Sequence, residues 1–133
     1  MAFFRPRVSR EAEVRYHADQ EVGKGYGELL EKVARAEEEF LRAQAERRPL
    51  EELHAAAVAL DRALTEALRA AEAAQRATFG AKAYDDRIRR RKAKATPAGA
   101  KWTAEVDRLR TWRERHRLTG IPRLPRRVPS KAA

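Results

Sequence analysis

Cysteine is absent from the 133 residues, which excludes disulfides, thiolate catalysis and zinc held by thiolates. Asparagine is absent too, and there are only one methionine, three glutamines and two serines. Avoidance of thermolabile residues fits a thermophilic source, although 23 arginines against 7 lysines equally marks a GC-rich genome. The two serines, Ser9 and Ser130, lie towards the ends without a His or carboxylate constellation around them, so no nucleophilic triad is expected. No apolar run approaches the ~18 residues needed to cross a bilayer, and Met1–Arg7 lacks the apolar core of a signal peptide. The expectation is a protein that is not an enzyme, with no cofactor and no membrane partner, in the cytoplasm or, if phage-encoded, in a virion.

Large apolar side chains are scarce as well. Leu, Ile, Val and Phe supply 24 residues, about 18% of the chain, beside a net charge of +10. That pairing usually marks a chain that does not fold. Against it stand 27 alanines interleaved with Glu, Arg and Leu, the strongest helix formers. An all-α protein with a thin core is therefore expected. Thin cores are commonly completed by a partner, so a homo-oligomer or a subunit of a larger complex follows.

Periodicity divides the chain into four parts. Residues 1–8 form a basic, aromatic arm with Phe3 and Phe4. Residues 9–78 hold a short helix and a longer unit. Ser9 is placed to cap the short helix, and its apolar positions are Val14, Ala18 and Val22. Gly23-Lys24-Gly25-Tyr26-Gly27 matches no phosphate-loop spacing and reads as a hinge. From Tyr26 to Thr78 the apolar residues fall at alternating steps of four and three, with Arg47-Arg48-Pro49 as the turn. This predicts an antiparallel, coiled-coil-like helical hairpin. Its seam residues Leu29, Val33, Phe40, Leu53, Leu60 and Leu64 are the expected assembly interface.

Residues 79–118 form a basic helical module, and 119–133 a Pro/Arg-rich extended tail. Gly80 should end the hairpin, followed by one helix over 81–95 on which Tyr84 and Ile88 make a thin docking stripe. Thr96 can cap a last helix that begins at Pro97. Trp102, Val106, Leu109 and Trp112 share one side of that helix, which gives the tryptophans a core role first and base stacking second.

Charge is what distinguishes the two halves. Residues 1–78 carry 13 basic and 15 acidic side chains, whereas 79–133 carry 17 and 5. A chain needing only solubility mixes its signs. The expected phosphate-binding residues are Arg87, Arg89, Arg90, Arg91, Lys92, Lys94, Arg110, Arg113, Arg115, Arg117, Arg123, Arg126 and Arg127, since arginine offers bidentate contacts to phosphate. Asp85 and Asp86 should brace Arg89 and Arg90 one turn on.

Weaker patterns are a Glu51–His54 pair at metal-ligand spacing and a Pro122–Pro125 pair at ligand-peptide spacing. The functional expectation is a small accessory subunit of a ribonucleoprotein or DNA-handling assembly, for instance of a phage or plasmid, that grips the phosphate backbone of DNA or RNA. The alternative is a structural protein of a virion or similar lattice whose basic tails meet acidic neighbours or packaged genome.

Overall fold

The computed structural model describes residues 8–126, so Phe3, Phe4, Arg127 and Ser130 lie outside the described residues. The described chain is all-helical, with five α-helices packed together and no strand. Helix α1 spans Arg10–Lys24, α2 Tyr26–Ala45, α3 Leu50–Phe79, α4 Arg87–Lys94 and α5 Pro97–Arg115. A 3-10 turn at Ala81–Tyr84 precedes α4, and a π-helical turn at His116–Gly120 follows α5.

Local chemistry sets most of these limits. The Ser9 hydroxyl accepts from the Ala12 amide at 3.1 Å and starts α1, with Glu11 and Glu13 favourably placed near the positive end of the helix. Arg47, at φ 51°, turns the chain between α2 and α3, and the Pro49 carbonyl accepts the first amides of α3, from Glu52 and Leu53, at 3.0 Å each. Gly80, at φ 91°, ends α3 in a conformation that costs glycine little.

Helix α3 is the axis of the molecule. It buries Ala57, Leu60, Leu64, Ala67, Leu68, Ala70, Ala71, Ala73 and Ala74. Its alanine-rich second half lets neighbours come close. Helices α1 and α2 lie end to end along it: a side chain at Gly23 would meet the Ala74 backbone at 3.0 Å, and Asp19 grips Arg76. The glycine cluster is thus a close contact as well as a break, since Gly25 has ordinary helical angles and only ends one helix while opening the next.

The seam between α2 and α3 is covered from within the chain. Val33, Phe40, Leu60 and Leu64 are buried in one core with Val106 and Leu109 of α5, and Leu29 packs half-buried at its edge. Leu53 is half-buried. A second copy could reach these residues only if α5 left. Trp102 and Trp112 are half-buried against the same core, with Trp102 edge-on to Tyr26 at 5.3 Å between ring centroids.

Polar contacts fix the direction of α5, which runs antiparallel to α3. Gln75 donates to the Thr103 hydroxyl at 3.0 Å, near one end. At the other end the buried His116 donates from Nε2 to the Ala57 carbonyl at 2.8 Å, with its ring edge-on to Phe40. The π-helical turn at this point carries the chain onward to Ile121 and Pro122. His54 Nδ1 then donates to the Pro122 carbonyl at 2.7 Å. His54, considered above as half of a metal pair, holds down the start of the tail.

The helix expected over 81–95 is two pieces. Asp86 is the reason: its carboxylate accepts from the Ile88 and Arg89 amides at 2.9 and 3.2 Å, so a new helix begins there. Asp85 instead accepts from the Ser9 hydroxyl at 2.6 Å, tying this turn to the start of α1. The bracing expected one turn on reduces to an Arg89–Asp86 pair at 3.6 Å, three residues apart. Two apolar assignments also change. Tyr84 docks on α1 through its hydroxyl, donating to Asp19, whereas Ile88 is 67% exposed and docks nothing. The stripe Val14–Ala18–Val22 faces outward, with Val14 63% and Val22 49% exposed, while Ala12, Tyr16, Asp19 and Gly23 make the inner face.

Candidate nucleic-acid interface

Six of the eight residues of α4 are cationic, and none of the eight is buried. What holds so polar a helix in place is its two ends. Asp86 caps the first, and the second is fused to α5 through a tight corner. Thr96 donates from its hydroxyl to the Ala93 carbonyl at 2.6 Å and accepts from the Gly99 amide at 3.1 Å. Gly99 is buried against that corner, and a Cβ there would lie 2.0 Å from the Ala93 carbonyl oxygen. Only the absence of a side chain allows α5 to pass so close to the end of α4.

At 100° per residue, Arg87, Arg90, Arg91 and Lys94 fall within about 100° of the helix circumference, along about 10 Å of axis. Arg87, Arg90, Arg91, Lys92 and Lys94 have no carboxylate partner among the described residues, and Arg89 has only Asp86. The negative end of the helix, with Arg91, Lys92 and Lys94 in its last turn, keeps these charges comfortable without neutralising them.

The other expected residues divide. Arg110 lies 3.8 Å from both Glu72 and Asp107. Arg117 binds Asp61 at 2.7 Å, and Arg113 is half-buried beside Glu114 at 3.4 Å. These three fasten α5 and its continuation to α3 or to one another's turn, so their charges are already engaged. Arg115 is exposed with no carboxylate partner among the described residues, as are Arg123 and Arg126 in the tail. Of the thirteen expected residues, those without a carboxylate partner among the described residues are thus five on α4 together with Arg115, Arg123 and Arg126.

Beside α4 lies a cleft of about 400 Å3 that sequence reasoning missed. Four elements build it: Arg15, Ala18 and Asp19 from α1, Arg76 and Phe79 from the end of α3, Ala83 and Tyr84 from the 3-10 turn, and Arg90 from α4. Asp19 organises its floor. The Arg76 guanidinium donates to both carboxylate oxygens at 2.9 and 3.0 Å, and the Tyr84 hydroxyl donates at 2.5 Å. No local pattern announces this convergence, because its members are up to 75 residues apart in sequence.

Titration follows from these contacts. Burial pushes the Asp19 carboxyl up, but the hydrogen bonds from Arg76 and Tyr84 and the charges of Arg76 and Arg15 outweigh it and leave the group below its ordinary 3.8. Burial first, then the hydrogen bond to Asp19 and the Asp19 charge, push Tyr84 well above 10 against the opposing charge of Arg76. On the far side of α5, Arg108 and then Tyr26 hold Glu105 below 4.5, while burial and Glu105 raise Tyr26 to about 12.

A depressed carboxylate stabilises the fold above its unfolded pKa, and that contribution is lost as pH falls through the lower folded value. The wild type should therefore lose stability steadily below about pH 4. Asp19→Asn should be less stable at neutral pH and show a shallower acid limb, read from urea midpoints across pH. Equal acid limbs would mean that the pair with Arg76 contributes nothing.

Among the described residues no three His, Asp or Glu side chains gather as a metal site requires, and no helix is long and apolar enough to cross a membrane. Protein-family models, curated proteins and solved structures yield no match to this chain.

Proposed function

We propose that this chain is a small, non-enzymatic nucleic-acid-binding subunit that grips the phosphate backbone with α4. The observation that carries this reading is the row of unpartnered cations on a helix with no buried residue. Unpaired cations occur elsewhere too, but here five of the six cations within eight residues lack a carboxylate partner among the described residues, whereas Arg76 and Arg117 are paired. Charge left unpaired on a rigid element is suited to an anion that arrives from outside, and phosphates repeat along a groove as these side chains repeat along the helix. Arg115, Arg123 and Arg126, exposed outside α4, add positive potential. Contacts of this kind to phosphate fix position on the backbone whatever the base sequence.

Four phosphate contacts from Arg87, Arg90, Arg91 and Lys94 give an expected slope of log K against log salt of about −4 on duplex, steeper if Arg89 and Lys92 join. Fluorescence anisotropy with a short labelled duplex across a salt series measures it. A flat response would remove the reading.

A second reading, a structural or assembly role such as a virion or lattice component, is favoured by the outward stripe Val14–Ala18–Val22 on α1. It belongs to α1, away from the seam of α2 and α3 that sequence alone offers as the interface. Light scattering separates the two: a monodisperse small species without nucleic acid supports the first, and large particles the second.

A further inference from the structure

We infer that the cleft beside α4 takes a single unpaired nucleotide at the end of the nucleic acid, its base against the apolar wall and its phosphate between Arg15 and Arg90. The inference rests on the α4 reading and adds a discriminating site to it. Three features of the cleft support this occupant.

The first is its walls. Phe79, Ala83 and Ala18 give it an apolar side, and Tyr84 contributes an aromatic ring at its edge. Phe79 is only half-buried although it is among the larger apolar side chains of the chain. Bases are planar, apolar on their faces and tolerant of which aromatic or aliphatic surface they meet.

The second is the division of labour among its charges. Arg76 is spoken for by Asp19 through two hydrogen bonds, and the carboxylate is in turn satisfied by Tyr84. That leaves Arg15, whose charge also acts on Asp19, and Arg90 as cations with no ion-pair contact among the described residues, coming from two different helices. Two unpaired guanidiniums converging on one cavity suit a doubly acceptor group such as a phosphate. The net charge of the lining, three arginines and one aspartate, is positive.

The third is place. Arg90 belongs both to the α4 stripe and to the cleft lining, so a strand tracked along the stripe leads into the cavity. At about 400 Å3 the volume lies within the range of small-ligand sites, too small for a paired end. A duplex could lie on α4, but only an unstacked nucleotide could enter.

The test compares a blunt duplex with the same duplex carrying a short single-stranded overhang, on wild type and on Ala18→Phe. Ala18 is exposed on α1 and lines the cleft, so phenylalanine fills the space without changing charge or removing a core group. Wild type should bind the overhang probe about tenfold more tightly than the blunt one. Ala18→Phe should lose that preference while its affinity for the blunt duplex and its melting temperature stay as in wild type. Arg15→Gln, which leaves the volume unchanged, should also lose most of the preference. Equal affinity of wild type for the two probes overturns the cleft and leaves the α4 reading standing, as does a preference that survives both variants. Binding of neither probe overturns both.

Discussion

Glutamate at Arg90, Arg91 and Lys94 together should reduce affinity for a short duplex at least ~100-fold near 0.1 M salt and cut the salt slope by about 3. These three are chosen because the fold does not use them. None is buried, none caps a helix, and none has a carboxylate partner among the described residues. Arg89 is left in place since it is tied to Asp86, the residue that starts the helix. Three acidic groups near the negative end of α4 would oppose its dipole, at a cost of about 0.3–1 kcal/mol each. Arg→Gln and Lys→Gln at the same positions provide the control, because they remove charge without that repulsion. Anisotropy reads the binding and circular dichroism the helicity. If the glutamate variant binds as wild type does, α4 is not the interface.

Gly99→Leu, at a buried glycine, should destabilise the fold by about 3 kcal/mol. The Cβ alone would overlap the Ala93 carbonyl oxygen at 2.0 Å, and what it meets is backbone, which cannot rotate away. Overpacking commonly costs ~1–3 kcal/mol, and here relief requires prising α4 from α5. Two consequences are measurable: a lower urea midpoint, and weaker nucleic-acid binding as the α4 stripe loses its fixed orientation beside the cleft. Gly99→Ala should show a milder form of both. A leucine variant as stable as wild type would mean that the corner between α4 and α5 is open in solution.

Much of this was readable residue by residue, and what was readable was local. Ser9, Gly80, Thr96 and Pro97 mark their helix ends as their chemistry requires. The all-helical character follows from alanine, glutamate and arginine in the right period. Asp86 was misjudged because an aspartate ahead of basic residues can either pair with them or cap them, and here capping wins. The inner face of α1 was missed because it is built from Ala12, Gly23 and the hydrogen-bonded Asp19, while its larger apolar groups look outward. The covering of the seam by α5, and the capture of Arg117 by Asp61 and Arg110 by Glu72, join residues about 40 to 75 positions apart. Periodicity says which face of a helix is apolar but not which other helix will cover it.

The independence of α4 from the core has a consequence for how such a chain changes over generations. The core residues of α3 are constrained by burial, with Ala57, Ala67, Ala70 and Ala71 wholly enclosed, and enlarging such groups forces their neighbours to shift. No residue of α4 carries that constraint. Provided Asp86, the Ala93 corner and Gly99 are kept, the cations between them can be exchanged, thinned or reversed without passing through an unfolded intermediate. Variation is therefore expected to collect on one short helix while the bundle beneath it stands still, so that the chain can change partners faster than it changes shape.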